Sequence, residues 1–399
     1  RENMRKLIYF ITPFIIGVVF LFGLDKFLDS KTDELLREKN LLPIMDDTLS
    51  DIKDKGVTAN NHFLREKDIM ILGSSELSNS TKQHPKYYFN TNRSKNKVFA
   101  IGRAYTQTLQ DAAILGSMNP NIDNKKVVLL ISMQWFMEKD GVTSHHYQSR
   151  FSPIQFYRFL DNPKISKQNK IEYAKKSSKL LWGSDEYKAE ALYAKLYEPK
   201  TFPEKAEKVL LEPYFQGRKY CIALKEKGIL YKRLIKLDKK RATKRKRPIN
   251  WSYERKKAIE DAKKRVGKNP LNIDKYYYKE HFKDGIEQYK GRDKDVNLLT
   301  SKEFENYKLM LNVCTDLGIK PVVVLIPSMD KFYNLTGISE KERNQYYDKA
   351  QKIAESKGFE VLNLKDKGSD KYYLRDVMHL GTKGWVDVCE RLFKIFKEQ

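Results

Sequence analysis

Residues 69–80 read IMILGSSELSNS, and this stretch decides the fold. Four apolar residues end abruptly at Gly73, which is followed by Ser74, Ser75 and a glutamate. A short, continuously apolar run bounded by turn residues predicts a strand that is buried on both faces, as in a parallel sheet. Glycine and serine are ordinary turn residues. The residues alone therefore leave open whether either serine is a nucleophile or the segment is only a polar turn.

Similar apolar runs recur along the chain and predict the remaining strands. The first run extends over KDIMILG (67–73), and four more are NKVFAIG (96–102), KKVVLLIS (125–132), IKPVVVLIP (319–327) and FEVLNL (359–364). Helical patterns lie between and after them, at 104–118, 302–317, 340–356 and 383–397. Strands that alternate with helices predict an α/β fold with a doubly wound, mainly parallel sheet.

The middle of the chain, about 150–300, differs in composition. It is rich in Lys, Glu, Tyr and Ala and contains few apolar runs of the strand type. The segment NKIEYAKKSSKLLWGSDEYKAEALYAKLYEPK (169–200) has a helical pattern. We predict a basic helical insertion between the two halves of one α/β domain that covers 63–399.

The first residues predict a membrane anchor. Residues 7–24 are 18 consecutive residues without a charge, which is near the lower limit for a membrane-spanning helix. Because a secretory signal is normally shorter and ends in a small-residue cleavage site, we interpret this run as an uncleaved anchor. A cleaved signal is the alternative. The basic leader RENMRK favours a cytoplasmic N-terminus. We predict a cytoplasmic stub and anchor helix at 1–28, a stalk at 29–62, and an extracellular domain held at the cell membrane.

The charge of the chain points to an anionic partner. The 399 residues include 77 Lys and Arg against 52 Asp and Glu, a net charge of +25, and such a field attracts polyanions. Ten of the sixteen residues 232–247 are basic, and they form either a solvated loop or a binding surface. Behind a membrane anchor, headgroups or an anionic wall polymer fit better than nucleic acid. Arg103 and Arg150 are further substrate-binding candidates, although Arg150 is equally well explained as a structural ion-pair partner.

Three predicted loops meet at one edge of the sheet. Open α/β sheets bind ligands at the carboxyl ends of their strands. Ser75 follows the first strand, where backbone N–H groups can stabilise an oxyanion, and Glu76 fits the first turn of the next helix. Gly102 follows the second strand and lets the backbone approach a ligand. Gln134 follows the third strand, within SMQW (132–135), and can supply an amide donor.

A nucleophilic serine needs a base, and the base needs an orienting acid. Asp376 and His379 stand three residues apart in YLRDVMHLGTKGW (373–385), between the last predicted strand and the last predicted helix. There the carboxylate can hold the imidazole at the sheet edge that carries the serines. The adjacent His145 and His146 have no further ligand at metal spacing, so we predict no metal site and no cofactor.

The order of these motifs resembles the SGNH hydrolase superfamily. Four segments are similar to the DltD family of Gram-positive bacteria: LGSSEL (72–77), LISMQWF (130–136), VLIPS (324–328) and, above all, DVMHLGTKGW (376–385). The resemblance covers nearly the whole chain in order and spacing, and the first and last motifs are its specific part. It implies a sheet of the SGNH-hydrolase type.

The resemblance assigns roles by position. It implies that Ser75 is the nucleophile, that Asp376 and His379 complete the catalytic triad, and that Gly102 belongs to the oxyanion hole. In this chain Ser74 stands where the superfamily has Asp. The predicted oxyanion donors are Ser75, Gly102 and Gln134. Gln134 is a second departure, because it stands near the position where the superfamily has an oxyanion Asn.

The resemblance also implies a function. It implies that the protein is a serine acyltransferase, which moves D-alanyl groups onto lipoteichoic acid at the outer face of the membrane through an acyl-enzyme. Its expected partners are a membrane-bound O-acyltransferase, a D-alanyl carrier protein acting indirectly, lipoteichoic acid and membrane lipid, without nucleic acid. Two alternatives remain: an esterase or thioesterase that hydrolyses D-alanyl esters, and a scaffold that holds the polymer without catalysis.

Overall fold

A five-stranded parallel sheet forms the centre of the structure, a computed structural model that describes residues 2–78, 81–241, 244 and 246–398. Its strand order is β2-β1-β3-β4-β5. The strands are β1 (Ile69–Leu72), β2 (Val98–Ile101), β3 (Val127–Ser132), β4 (Val322–Ile326) and β5 (Glu360–Asn363). All five predicted strands are confirmed, with their ends shortened by at most three residues.

The continuous apolar runs arise because the sheet is covered on both faces. Along β1, Met70 and Leu72 pack into one apolar cluster, and Ile69 and Ile71 pack into a second one. The other inner strands alternate in the same way, since successive side chains of a strand point to opposite faces. The sheet is therefore the middle layer of a doubly wound α/β fold.

Helices supply the two outer layers. The helices before β1 are α1 (Glu2–Glu38), α2 (Leu42–Met45), α3 (Asp51–Asp54) and α4 (Thr58–Arg65). Between β1 and β3 the chain forms α5 (Ser75–Ser78), α6 (Pro85–Phe89) and α7 (Thr108–Gly116). The last part of the chain contains α15 (Glu303–Asp316), α16 (Asp330–Thr336), α17 (Glu340–Glu355) and α18 (Thr382–Ile395).

In the described part of the chain, eight α-helices lie between β3 and β4, and the last of them is α15. The other seven are α8 (Ser144–Arg150), α9 (Pro153–Asp161), α10 (Lys167–Leu181), α11 (Lys188–Lys195), α12 (Phe202–Leu234), α13 (Trp251–Val266) and α14 (Lys275–His281). Of the four helices predicted near the strands, α7 differs most from its predicted bounds. It begins at Thr108, because Gln107 and Gln110 form a capping box there and Tyr105 before it has a left-handed φ of 74°.

The N-terminal region is helical and extends into the domain. The predicted span, 7–24, lies within α1. Among the described residues, no helix reaches the length and hydropathy needed to cross a membrane, so the predicted anchor is not confirmed. The predicted stalk, 29–62, forms the end of α1 and three short helices. Leu36, Ile44 and Met45 of this stretch are buried in the core, because their apolar side chains pack against the sheet layer.

Candidate active site

The two serines lie where the strand order reverses. β1 pairs with β2 on one side and with β3 on the other. The chain leaves β1 through Gly73 and enters the short helix α5, whose first residue is Ser75. In open α/β sheets the crevice at such a switch point is the usual ligand site. The half-buried Ser75 therefore lies at the part of the sheet edge where a site is expected.

Ser75, His379 and Asp376 form one hydrogen-bonded chain. Ser75 Oγ lies 2.7 Å from His379 Nε2, and His379 Nδ1 lies 2.8 Å from Asp376 Oδ2. Asp376 Oδ1 accepts two backbone N–H groups of the same loop, at 3.0 and 2.9 Å. An antiparallel bridge between Leu374 and Leu380 closes the loop. The loop thus fixes the carboxylate, and the carboxylate orients the ring towards Ser75.

The electrostatics of the hydrogen-bonded residues Ser75, His379 and Asp376 suit a general base at His379. Burial lowers the pKa of His379, but the charge and hydrogen bond of Asp376, with a smaller contribution from Glu76, raise it more. Burial alone would raise the pKa of Asp376, yet His379 and the loop N–H groups hold it below its ordinary value. An ionised carboxylate stabilises the imidazolium that forms when the ring accepts a proton. The arrangement is one that activates a serine hydroxyl.

The hydroxyl of Ser74 is bonded elsewhere. Its Oγ donates to the carbonyl of Arg103 at 3.0 Å, and its N–H donates to Glu76 Oε1 at 2.7 Å. Glu76 is buried, and burial raises its pKa against the lowering effects of the Ser74 N–H and of His379. The sequence predicted only a first-turn helix position for Glu76, and the structure adds that its carboxyl group supports the serine turn from within the core.

Gly102 brings the loop after β2 against the serine turn. A Cβ at this position would lie 2.7 Å from the C and O atoms of Gly73 and 2.9 Å from the O atom of Ser74. Ordinary contact begins at 3.4 Å, so a residue without a side chain is needed for this approach. The backbone of Gly102 therefore lies beside the turn of Ser75. The oxyanion-donor roles of both residues stay predictions.

Gln134 follows β3 in a 3₁₀ helix, Met133–Phe136. Its Nε2 donates to the hydroxyl of Tyr333 at 3.0 Å. Burial raises the pKa of Tyr333, and the charge of Asp376 contributes in the same direction, so the phenol stays protonated at neutral pH. The amide of Gln134 is thus fixed by a residue of α16, and its oxyanion role stays a prediction. Sequence reasoning missed Tyr333, which belongs to no motif.

The two arginines predicted to bind substrate are engaged within the fold. Arg103 forms ion pairs with Asp51 at 3.0 Å and with Asp54, and it thereby ties α3 to the loop after β2. Arg150 Nε donates to the carbonyl of Ala104 at 2.9 Å. Both contacts hold the loop that carries Gly102. The substrate-binding roles of both arginines stay predictions, and the observed partner of Arg150 is a carbonyl and not the carboxylate of an ion pair.

Arg375 is a cation that sequence reasoning missed, although it stands beside Asp376 in the quoted motif. Its backbone N–H donates to the carbonyl of His379 at 2.8 Å. Burial and, to a smaller extent, the charge of Arg375 oppose the upward pKa shift of His379. The Nε atom of Arg375 is buried and has no hydrogen-bond partner within the described residues. The charge of Arg375, whose Nε has no bonded acceptor among the described residues, therefore acts on the imidazole.

Residues 238–240 of the basic stretch 232–247 lie beside the end of α1. The N–H of Asn40 donates to the carbonyl of Asp238 at 2.8 Å, and the N–H of Lys240 donates to the carbonyl of Glu38 at 2.7 Å. Residues 242, 243 and 245 of this stretch lie outside the described residues. The first part of the stretch is therefore bonded to the fold through its backbone.

The fold and the site together define an α/β protein with the site geometry of a serine hydrolase: a parallel sheet presents a Ser–His–Asp chain at its switch point. A comparison with known families agrees with the resemblance found in the sequence. The family model described as DltD protein matches residues 46–397. The chain belongs to the DltD family.

Three relatives bear the name Protein DltD. The protein from Bacillus subtilis is 27% identical over 345 residues, which are 86% of this chain and 86% of the relative. The protein from Staphylococcus aureus is 28% identical over 406 residues, covering 98% of this chain and 97% of the relative. The protein from Lacticaseibacillus rhamnosus is 23% identical over 367 residues, covering 86% and 81%.

Proposed function

We propose that the chain transfers D-alanyl groups to lipoteichoic acid at the outer face of the membrane, through an acyl-enzyme on Ser75. Family membership supports a place in the D-alanylation of teichoic acid. The observation that carries the proposal is the hydrogen-bonded chain of Ser75, His379 and Asp376, with contacts of 2.7 and 2.8 Å. The chemistry is that of an SGNH-like hydrolase in which a hydroxyl replaces water as the acceptor.

The reaction consists of two acyl transfers. First, His379 Nε2 takes the proton of Ser75 while Oγ attacks the D-alanyl carbonyl carbon. The bond from that carbon to the donor's oxygen or sulfur breaks, and His379 gives the proton to the leaving atom. Then a hydroxyl of the glycerol phosphate acceptor attacks the Ser75 ester and passes its proton through His379. The free serine is restored, and the exchange needs no oxidant or reductant.

The charge distribution supports a polyphosphate acceptor. The net charge is +25, and residues 238–240 of the basic stretch lie at the end of α1, near Glu38. Fourteen residues of helix separate Glu38 from the end of the predicted span at Leu24, a distance of about 21 Å. Screening limits attraction to headgroups to about 8 Å at physiological salt. The stretch is therefore better placed for a polymer that extends from the membrane than for the headgroups.

We extend the proposal to the membrane anchor and to the partner proteins. The anchor at 7–24 holds the domain outside the cell, and a membrane-bound O-acyltransferase delivers the D-alanyl group that a cytoplasmic carrier protein supplied. The support for this part is the position of the apolar run within α1, which leads directly into the domain core at Leu36.

The test compares two neighbouring serines. Ser75→Ala removes the nucleophile, and we expect no D-alanine ester on lipoteichoic acid in cells that produce this variant at the normal level. Ser74→Ala is the matched control, because it removes one hydrogen bond of about 1 kcal/mol, and we expect most of the ester to remain. Wild-type ester levels in the Ser75→Ala strain would overturn the assignment of the nucleophile.

Hydrolysis is separated from transfer by a second measurement. Purified full chain in lipid is given a labelled D-alanyl thioester, with and without lipoteichoic acid. We expect label on Ser75 by mass spectrometry, and fast turnover only when the acceptor is added. Equal turnover without lipoteichoic acid, with release of free D-alanine, would show that the enzyme is a hydrolase and not a transferase.

A further inference from the structure

The side chain of Arg375 has no bonded partner in the fold. Its Nε atom is buried and has no hydrogen-bond partner among the described residues, and no ion pair joins its guanidinium to a carboxylate of these residues. Leaving a buried charged donor unpaired is costly, and guanidinium groups inside a fold are normally paired with carboxylate or phosphate groups. The side chain is therefore available to an anion that the chain itself does not supply.

Arg375 lies opposite His379 in the C-terminal loop. The bridge between Leu374 and Leu380 is antiparallel, and within it the N–H of Arg375 donates to the carbonyl of His379 at 2.8 Å. Opposed residues of an antiparallel pair have their side chains on the same side, with Cβ atoms about 4.5–5.5 Å apart. The guanidinium and the imidazole are therefore neighbours.

The side that these two residues share is the side of Ser75. Successive residues of extended chain point to opposite sides, and Leu374 and Leu380 point into the apolar clusters. Arg375 and His379 are partly exposed, and His379 Nε2 contacts Ser75 Oγ at 2.7 Å. The charge of Arg375 also acts on the pKa of His379, as expected for neighbouring side chains. The guanidinium thus lies at the crevice that contains the serine.

Two carboxylates beside Arg375 are already bonded to other groups. Asp376 accepts two backbone N–H groups and the Nδ1 atom of His379. Asp274, whose N–H donates to the carbonyl of Arg375, pairs with Arg265 at 3.0 Å. Neither carboxylate neutralises Arg375, so its charge is open to an anion from solution.

The acceptor of the proposed reaction has an anion beside its reactive group. In a chain of glycerol phosphate, the free hydroxyl and the phosphodiester lie on adjacent carbon atoms. The planar guanidinium matches phosphate oxygens with two parallel hydrogen bonds. Opposed side chains about 4.5–5.5 Å apart at Cβ suit such a pair of groups, with the phosphate at Arg375 and the hydroxyl at His379.

We propose that Arg375 binds the phosphodiester of the acceptor and thereby positions the hydroxyl that attacks the Ser75 ester, an inference that rests on the proposed function. His379 takes the proton of that hydroxyl while its oxygen forms the new ester bond to the acyl carbon. The bond from this carbon to Ser75 Oγ breaks, and His379 returns the proton to Oγ. The phosphate contact changes no covalent bond, and it selects a phosphorylated acceptor over water or a neutral alcohol.

The test measures how acceptor analogues protect Ser75 from a fluorophosphonate probe in the full chain. The analogues are glycerophosphoglycerol, which contains the phosphodiester and the adjacent hydroxyl, and diglycerol, its neutral counterpart. Each variant is compared with its own labelling rate without analogue, so that a change in the reactivity of the serine cancels. Arg375→Gln removes the proposed contact, and Lys371→Gln is the matched control because it removes an exposed positive charge of the same segment.

We expect glycerophosphoglycerol to protect the wild type and Lys371→Gln at the same concentration, and Arg375→Gln only at a concentration about 10- to 100-fold higher. Arg375→Lys keeps the charge without the planar fork and should lie between them. Diglycerol should protect all four chains equally weakly. Equal protection of the wild type and Arg375→Gln by glycerophosphoglycerol, or no protection of either, would overturn the proposal. An equal loss in Lys371→Gln would also overturn it, because general charge attraction would then explain the effect.

A further arm of the experiment distinguishes the acceptor from the acyl donor. Phosphopantetheine is the phosphorylated arm of acyl carrier proteins, and its phosphate is remote from its thiol. If it protected Ser75 at a lower concentration than glycerophosphoglycerol and did so only with Arg375 present, the anion would belong to the donor and the proposal would be overturned. Protection requires neither acyl donor nor transfer, so this result is independent of the turnover measurement that decides between transferase and hydrolase.

Discussion

Substituting Gly102 by alanine tests whether contact between two loops positions the nucleophile. Alanine keeps the backbone N–H, so any loss of activity measures displacement and not the loss of an oxyanion donor. The new Cβ would lie 2.7 Å from two backbone atoms of Gly73, where ordinary contact begins at 3.4 Å. The loops must separate by the difference, about 0.7 Å, because backbone atoms cannot rotate away.

The expected cost has two parts. Overpacking of this kind lowers the free energy of unfolding by about 1–3 kcal/mol. A displacement approaching 1 Å at a nucleophile lowers the rate by roughly 100-fold, which corresponds to about 2.7 kcal/mol of activation free energy. A Cβ added at the helical Gly228 would meet no neighbouring atom of the described residues within 4 Å, so Gly228→Ala is the control and should retain the wild-type rate.

The assay is the rate at which a fluorophosphonate probe labels Ser75 in the full chain, with thermal unfolding measured in parallel. The probe reports the reactivity of the serine and does not depend on the natural donor or acceptor. A folded Gly102→Ala variant that is labelled within about threefold of the wild-type rate would refute the argument that this contact positions Ser75.

Two further predictions concern the pH dependence of the same labelling reaction, whose acidic limb follows the pKa of His379 because only the neutral imidazole accepts the proton. Asp376→Asn should lower the rate by about 10⁴-fold. It should also move the acidic limb to lower pH, because the charge that raises the pKa of His379 is lost. An unchanged limb would contradict the interaction between Asp376 and His379. Glu76→Gln should move the limb to lower pH and Arg375→Gln to higher pH, because these charges act on the imidazole with opposite signs. Profiles that superimpose on that of the wild type would show that neither charge affects the pKa of His379.

The strands were predictable because burial on both faces leaves a local signature. A run such as residues 69–72 is apolar at every position, since alternate side chains enter two different clusters. β5 is the exception, because it lies at the sheet edge and its side chains are partly exposed. Its pairing with β4 nevertheless gives it the predicted place. The fold class therefore followed from local patterns and from the alternation of elements.

The site was only partly predictable because its contacts join distant residues. The motifs pointed to Ser75, Asp376 and His379, and the structure brings them together. No pattern near Glu76 indicated that its carboxyl would be buried under the serine turn, and Tyr333 meets Gln134 only through the pairing of β3 with β4. No local pattern indicated the acidic partners of Arg103, because they come from α3, far away in sequence.

The distance along the chain between the proposed nucleophile and its proposed base has a consequence for biosynthesis. Ser75 and His379 are separated by 304 residues, and synthesis proceeds from the N-terminus. The serine therefore emerges long before its base, and an unfinished or truncated chain contains an unactivated hydroxyl. In the proposed mechanism, acyl transfer requires the C-terminal loop to dock beside β1, so the reactivity of Ser75 would report completion of the fold. We therefore expect a prematurely ended molecule that lacks His379 not to consume activated acyl groups.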